Sequence, residues 1–194
     1  MKRILISAVA LLLFLNGIAA ADRYVPTKGS FVRIEGTSTL HEWKMEGSTI
    51  NGEIAAPPIE QWQNGSAPTD VTVTIPVASI KSDHDKMDKL MADALKADKN
   101  PVIRYELSRA ILTQAAPAFT VTTKGQLTIA GVTREIDMQV SGTRDAAGTY
   151  VLNGQAPIRM SDFGIKPPTA MLGTIKTGND VKVTFRWTVQ PTKN

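Results

Sequence analysis

Val181-Lys182-Val183-Thr184-Phe185-Arg186-Trp187-Thr188-Val189 alternates apolar and polar residues without a break. Successive side chains of a β-strand point to opposite faces, so this stretch is a strand with one dry and one wet face. The same rhythm recurs upstream. Val71, Val73, Ile75 and Val77 are separated by Thr72, Thr74 and Pro76. Ile103, Tyr105 and Leu107 alternate with Arg104 and Glu106, and Ile136, Met138 and Val140 with Asp137 and Gln139. Weaker strands are predicted within 31–36, 40–45, 119–129 and 149–160.

Turn signals punctuate these runs: Asn51-Gly52, Asn64-Gly65, Ala130-Gly131, Ala147-Gly148 and Gly178-Asn179. About eight strands with short links suit an antiparallel sandwich or a closed barrel, and patterning alone does not separate the two. Closure has the advantage of removing edge strands that invite aggregation. Residues 57–68, with Pro57-Pro58, Gln61, Trp62 and Pro68, read as a long polar loop. Gly29, Gly36, Gly47 and Gly52 read as turn or bulge glycines.

One segment departs from period two. Met87, Leu90, Met91, Ala94 and Leu95 fall on one face of an α-helix. The helix is predicted over 83–98, with Ser82 or Asp83 as N-cap, Asp85 in the first turn, and Lys96 and Lys99 near its end. Asn100-Pro101 would stop it. At about 14 residues, or about 21 Å, it could lie across the mouth of a small barrel.

The first 21 residues have the order of a secretory signal peptide. Lys2 and Arg3 precede an apolar run from Ile4 to Leu15, and Ala19-Ala20-Ala21 provides small residues for cleavage. The run is shorter than the ~18–20 residues that span a bilayer as a helix. No cysteine follows it, which removes lipid attachment there. A mature domain over 22–194, exported to a periplasm, is the expectation. With 0 cysteines in the chain, disulfides and thiolate metal sites are excluded. The 22 Lys and Arg against 18 Asp and Glu are spread along the chain. A nucleic-acid partner would want a concentrated basic patch, so none is expected. A homodimer remains open.

Catalytic signals are weak. The chain has 2 histidines. His41-Glu42 begins a zinc-peptidase signature, but the second ligand position holds Met45. Ser82-Asp83-His84-Asp85 is better read as a helix cap than as a metal or acid–base cluster. No nucleophile elbow and no phosphate-cradling glycine loop is present. Asn64-Gly65-Ser66 matches a glycosylation sequon but reads as a turn. An enzyme reading would need His41 or His84 beside a serine or a carboxylate. In Arg159-Met160-Ser161-Asp162-Phe163-Gly164, Arg159 could pair with Asp162 at a corner, or meet an anionic head group at a barrel mouth.

Several of these segments together resemble the YceI-like proteins. Gly125-Gln126-Leu127-Thr128-Ile129-Ala130-Gly131-Val132-Thr133-Arg134 is similar to their G-x-L-T-I-K-G-V-T-K stretch. Arg159 to Ile165 and the run from Met87 to Ile103 follow in kind. Gly36-Thr37-Ser38-Thr39-Leu40-His41-Glu42-Trp43 resembles a branch that opens G-T-S-x-L-H-x-W. The resemblance implies an all-β fold with one short helix: an eight-stranded antiparallel lipocalin-like β-barrel. It also implies an apolar lumen holding a polyisoprenoid, an isoprenoid quinone or a similar lipid, and no catalysis, metal or other cofactor.

Inward faces would then offer Trp43, Ile75, Tyr105, Leu127, Met138, Phe185 and Trp187. The helix would add Leu90, Met91 and Leu95. Phe163 would join the lining, and Arg159 would take the head group. Met87, Met91, Met138 and Met160 suit a flexible chain, because the thioether adapts its shape. A filled barrel that binds an envelope protein through Trp62 and its loop is the competing expectation.

Overall fold

A computed structural model describes residues 21–57, 62, 70–114 and 118–192. The signal-peptide expectation, apart from Ala21, and the Asn64-Gly65 turn lie outside the described residues.

The strands are β1 (Asp22–Pro26), β2 (Phe31–Ser38), β3 (Glu42–Gly47), β4 (Asn51–Ala56), β5 (Asp70–Pro76) and β6 (Ile80–Lys81), followed by helix α1 (Asp85–Ala94). Then come β7 (Val102–Gln114), β8 (Ala118–Ile129), β9 (Val132–Arg144), β10 (Tyr150–Arg159), the two-residue β11 (Thr169–Ala170) and β12 (Ile175–Pro191). All pairings are antiparallel.

The sheet closes on itself through β1, which pairs with β4 on one side and β12 on the other. Both β1 and β2 lie along one edge of β12, so they form a single bent strand. Ser30 holds the bend: its Oγ accepts the Thr188 N–H at 3.0 Å, and the Thr27 N–H donates to the Thr188 carbonyl at 2.8 Å. In the same way β3 and β4 run on as one strand, and β5 and β6 as another, joined through a 3-10 turn at Val77–Ser79. Counted so, eight strands run up and down in chain order and β12 closes against β1–β2. That decides between sandwich and barrel.

Ala130-Gly131 forms the expected tight hairpin. Ile129 pairs with Val132, and both turn residues have positive φ, 51° and 82°, as a two-residue primed turn requires. Two other turn signals read differently in three dimensions. Asn51-Gly52 opens β4 instead of reversing the chain, and Gly178-Asn179 forms a bulge inside β12. In each case a neighbouring strand supplies the pairing that keeps the backbone extended.

Helix α1 is shorter than expected, ten residues against about 14. Lys96 adopts a left-handed φ of 53° and its carbonyl receives the N–H groups of Lys99 and Asn100, which ends the helix early. His84 is the N-cap, without a side-chain cap bond. Ser82 acts two residues earlier: its N–H and Oγ donate to Asp88 Oδ1 at 2.7 and 2.8 Å. These bonds to the charged form hold the Asp88 carboxyl below its ordinary value.

Candidate functional site

The barrel encloses an apolar lumen of about 970 Å³. Period-two alternation builds its wall. Val181, Val183, Phe185 and Trp187 face inward from β12, and Ile136, Met138 and Val140 from β9. Along β7 the inward residues are Ile103, Tyr105 and Leu107, then Ala110. The register shift between Leu107 and Arg109 is a bulge that resets the parity. Many of these side chains are only half-buried although they point inward. The open lumen accounts for that exposure.

Space inside is set by glycines placed opposite aromatic rings. Gly36 pairs with Trp43, Gly142 with Phe119 and Gly154 with Phe185 across neighbouring strands. A Cβ on any of the three would lie 2.2–2.4 Å from the facing ring. The ring of Tyr105 lies over Gly125 in the same way, 2.5 Å from such a Cβ. The rings therefore lie flat against the wall and leave the axis clear. Gly36 is thus neither a turn nor a bulge glycine: it makes room for Trp43.

The two ends of the lumen differ. At the end where β1 starts and β12 finishes, aromatic rings pack edge to face. Tyr24 meets Tyr150 at 5.0 Å, Phe119 meets Tyr150 at 5.9 Å, and Trp62 meets Phe119 at 5.6 Å. The Trp62 indole N–H donates to the Pro57 carbonyl at 2.8 Å. Trp62 is turned inward to the lumen and not outward on the loop: its ring packs against Phe119 and that carbonyl accepts its N–H. Burial and the neighbouring Tyr150 push the Tyr24 hydroxyl far above the usual tyrosine range.

The opposite end carries α1. Met87, Leu90, Met91, Ala94 and Leu95 turn their apolar face to the lumen. Polar lining residues gather beside it: Ser38, His41, Asp83, His84, Asp85, Lys86 and Thr177. This is the mouth. Within the apolar wall, the Trp187 indole N–H is buried without a hydrogen-bond partner among the described residues.

Of the sequence-predicted residues, Trp43, Ile75, Leu90, Met91, Leu95, Tyr105, Leu127, Met138, Phe185 and Trp187 come together around this lumen. Arg159 and Phe163 do not. Alternation along β10 sends Ile158 inward and Arg159 outward, where it lies exposed, 3.6 Å from exposed Asp180. Phe163 is buried behind the lining, in the cluster that holds Leu95, Ile129 and Ile165. The corner assigned to Arg159 and Asp162 is held by other residues. The Arg134 Nε donates to the Asp162 carbonyl at 2.8 Å, and Asn179 exchanges two hydrogen bonds with Ser161. Sequence reading missed Tyr24, Phe119 and Tyr150, which close the far end. Phe119 and Tyr150 fall in strands that read as weak, and Tyr24 follows Asp22-Arg23 in a strand too short to show a pattern.

The His41 Nδ1 lies 2.6 Å from the Glu42 carbonyl. Among the described residues, no hydrogen bond joins either histidine ring to a serine hydroxyl or a carboxylate. No group of three or more His, Asp or Glu could hold a metal ion among them. No helix there is long and apolar enough to cross a membrane.

A family model described as the YceI-like domain matches residues 19–189. The chain belongs to the YceI-like family. Solved structures share its barrel. A polyisoprenoid-binding domain from Saccharophagus degradans, implicated in plant cell wall breakdown, superposes with a TM-score of 0.70 at 14% identity, over 89% of this chain and 99% of that one. BcnA of Burkholderia cenocepacia gives 0.66 at 17%, over 82% and 95%. The YceI protein of Campylobacter jejuni gives 0.59 at 18%, over 77% and 85%. At these identities the likeness is one of fold. No curated protein matches the chain in sequence. The family match and the solved structures agree with the closed barrel described above.

Proposed function

We propose that this YceI-like protein is an exported, non-enzymatic carrier or store that buries one long isoprenoid or acyl chain in its lumen. The continuous apolar lumen carries this reading. Its volume sits at the upper end of ordinary small-molecule sites. A 12-residue strand such as β8 is about 40 Å long, and a tilt of about 40° gives a barrel about 30 Å high. That length suits an extended chain. Burying about fifteen carbons gains on the order of 10 kcal/mol gross, enough to exceed several kcal/mol of association cost.

The unpartnered Trp187 N–H favours a chain with an acceptor oxygen, such as an alcohol, a phosphate ester or a quinone. The signal-peptide pattern of residues 1–21 and β1, whose first residue is Asp22, fit export to a periplasm followed by cleavage after Ala21. Native mass spectrometry of protein purified from cells, followed by lipid extraction, tests the proposal. The expected result is a mature chain starting at Asp22 with a prenyl or acyl lipid bound. Empty protein that also fails to bind long prenols in titration would sink it.

A further inference from the structure

We propose that the mouth of the barrel is a membrane-docking edge that seats the lumen on an anionic lipid bilayer. The inference rests on the lipid-carrier reading and adds where the protein meets its lipid source. Leu40, Met171 and Leu172 are 67%, 72% and 108% exposed. Leu40 lies in the β2–β3 turn, and the other two in the 3-10 turn Met171–Gly173 before β12. The two turns are tied together. The Thr39 N–H donates to the Lys176 carbonyl at 2.9 Å, its Oγ1 donates to the Thr174 carbonyl, and the Lys176 N–H donates to that Oγ1.

These turns are also the rim of the mouth: Ser38 and His41 on one side, and Pro168, Ala170, Ile175 and Thr177 on the other, line the lumen. Met171 and Leu172 both adopt left-handed φ values, 50° and 54°. That conformation is unfavourable for residues with a Cβ, so the backbone holds two large apolar side chains outward against its own preference.

Charge selects the partner. Segments 37–41 and 163–177 contain Lys166, Lys176 and His41 and no carboxylate; the nearest acids along the chain are Glu42 and Asp162. Asp83 and Asp85 stand on the helix side of the mouth with His84 and Lys86. An apolar tip flanked by lysines fits an anionic bilayer, where the aliphatic side chains enter the acyl boundary and the lysines meet phosphates. The turn side of the mouth makes the contact, and Asp83 and Asp85 line the other side.

The test is flotation of the full mature protein with vesicles of phosphatidylethanolamine and phosphatidylglycerol, at low and high salt. The expected result is vesicle binding that weakens with salt and falls at least tenfold in the Leu40→Asp/Leu172→Asp variant. Lys166→Gln/Lys176→Gln should lower binding to anionic vesicles and leave weak binding to phosphatidylcholine unchanged. Titration of a soluble short prenol without vesicles keeps the two readings apart. Loss of prenol binding with flotation intact counts against the lumen reading alone. Wild-type protein that does not float, or variants that float unchanged, overturn the docking. So does a wild-type dimer that the aspartate variant converts to monomer without any vesicle binding, because a second copy would then cover the patch.

Discussion

Gly154 carries the lumen's dimensions in a single missing methyl group. Its position opposite Phe185 leaves the ring flat on the wall. Gly154→Val should drive the ring inward, costing about 1–3 kcal/mol through overpacking. Urea denaturation and prenol titration together check it: the midpoint drops and long-chain affinity falls more steeply than short-chain affinity. Trp187 carries the opposite sign. Its buried N–H has no partner among the described residues, and such a donor costs about 1–3 kcal/mol when unmet. Trp187→Phe should therefore leave the empty protein close to wild type in stability. It should weaken binding of an oxygen-bearing chain about tenfold but spare a pure hydrocarbon, as parallel calorimetric titrations would read. Neither role was visible in the sequence. Gly154 sits in a strand that reads as weak, and Trp187 reads simply as an inward aromatic.

At the scale of the element, α1 was legible and its boundaries were not. The 3-4 spacing from Met87 to Leu95 depends only on the helical period. The early stop at Lys96 depends on a left-handed residue that the sequence does not mark. Leu95 is 9% exposed and packs with Ile129 and Phe163. Leu95→Ala should cost about 2–4 kcal/mol, read as a lower urea midpoint with an unchanged slope. Asp88 ties the helix start to Ser82, and its pKa is depressed in the folded protein from the ordinary 3.8. A depressed folded pKa contributes stability that is present above 3.8 and is lost as pH falls through the lower folded value. Asp88→Asn should therefore lower the melting temperature at neutral pH and flatten its fall below pH 4, as thermal melts across pH would record. Lys81, 3.5 Å from Asp88 Oδ2, is mostly exposed and adds little.

For the whole molecule, closure is the feature that matters. Eight strands in chain order bring the first and last together, so among the described residues the barrel does not end on a free edge strand that other chains could extend. The same closure creates an interior whose volume belongs to no single strand. Val183 faces the lumen and is only half-buried. Val183→Trp should fill part of that space, abolish binding of long prenols and leave the fold intact. Extraction of lipid from purified variant protein, beside its circular dichroism spectrum, would show both. A variant that still co-purifies with a full complement of lipid would argue that the ligand lies elsewhere.

Strand alternation, the amphipathic helix and the Ala130-Gly131 hairpin were determined by local sequence, because each depends on neighbours a few residues apart. Family membership was also legible, from short segments in a recognisable order. Other features came only with the tertiary structure. The β1 and β4 strands are too short to show a pattern, and they exist because β12 and β5 pair with them. Arg159 was assigned to the mouth and lies on the outer face, since one residue of register decides which way a strand side chain points. The lumen was implied by the family resemblance but not by residue patterning, because a cavity is the difference between the space eight strands enclose and the volume their side chains fill.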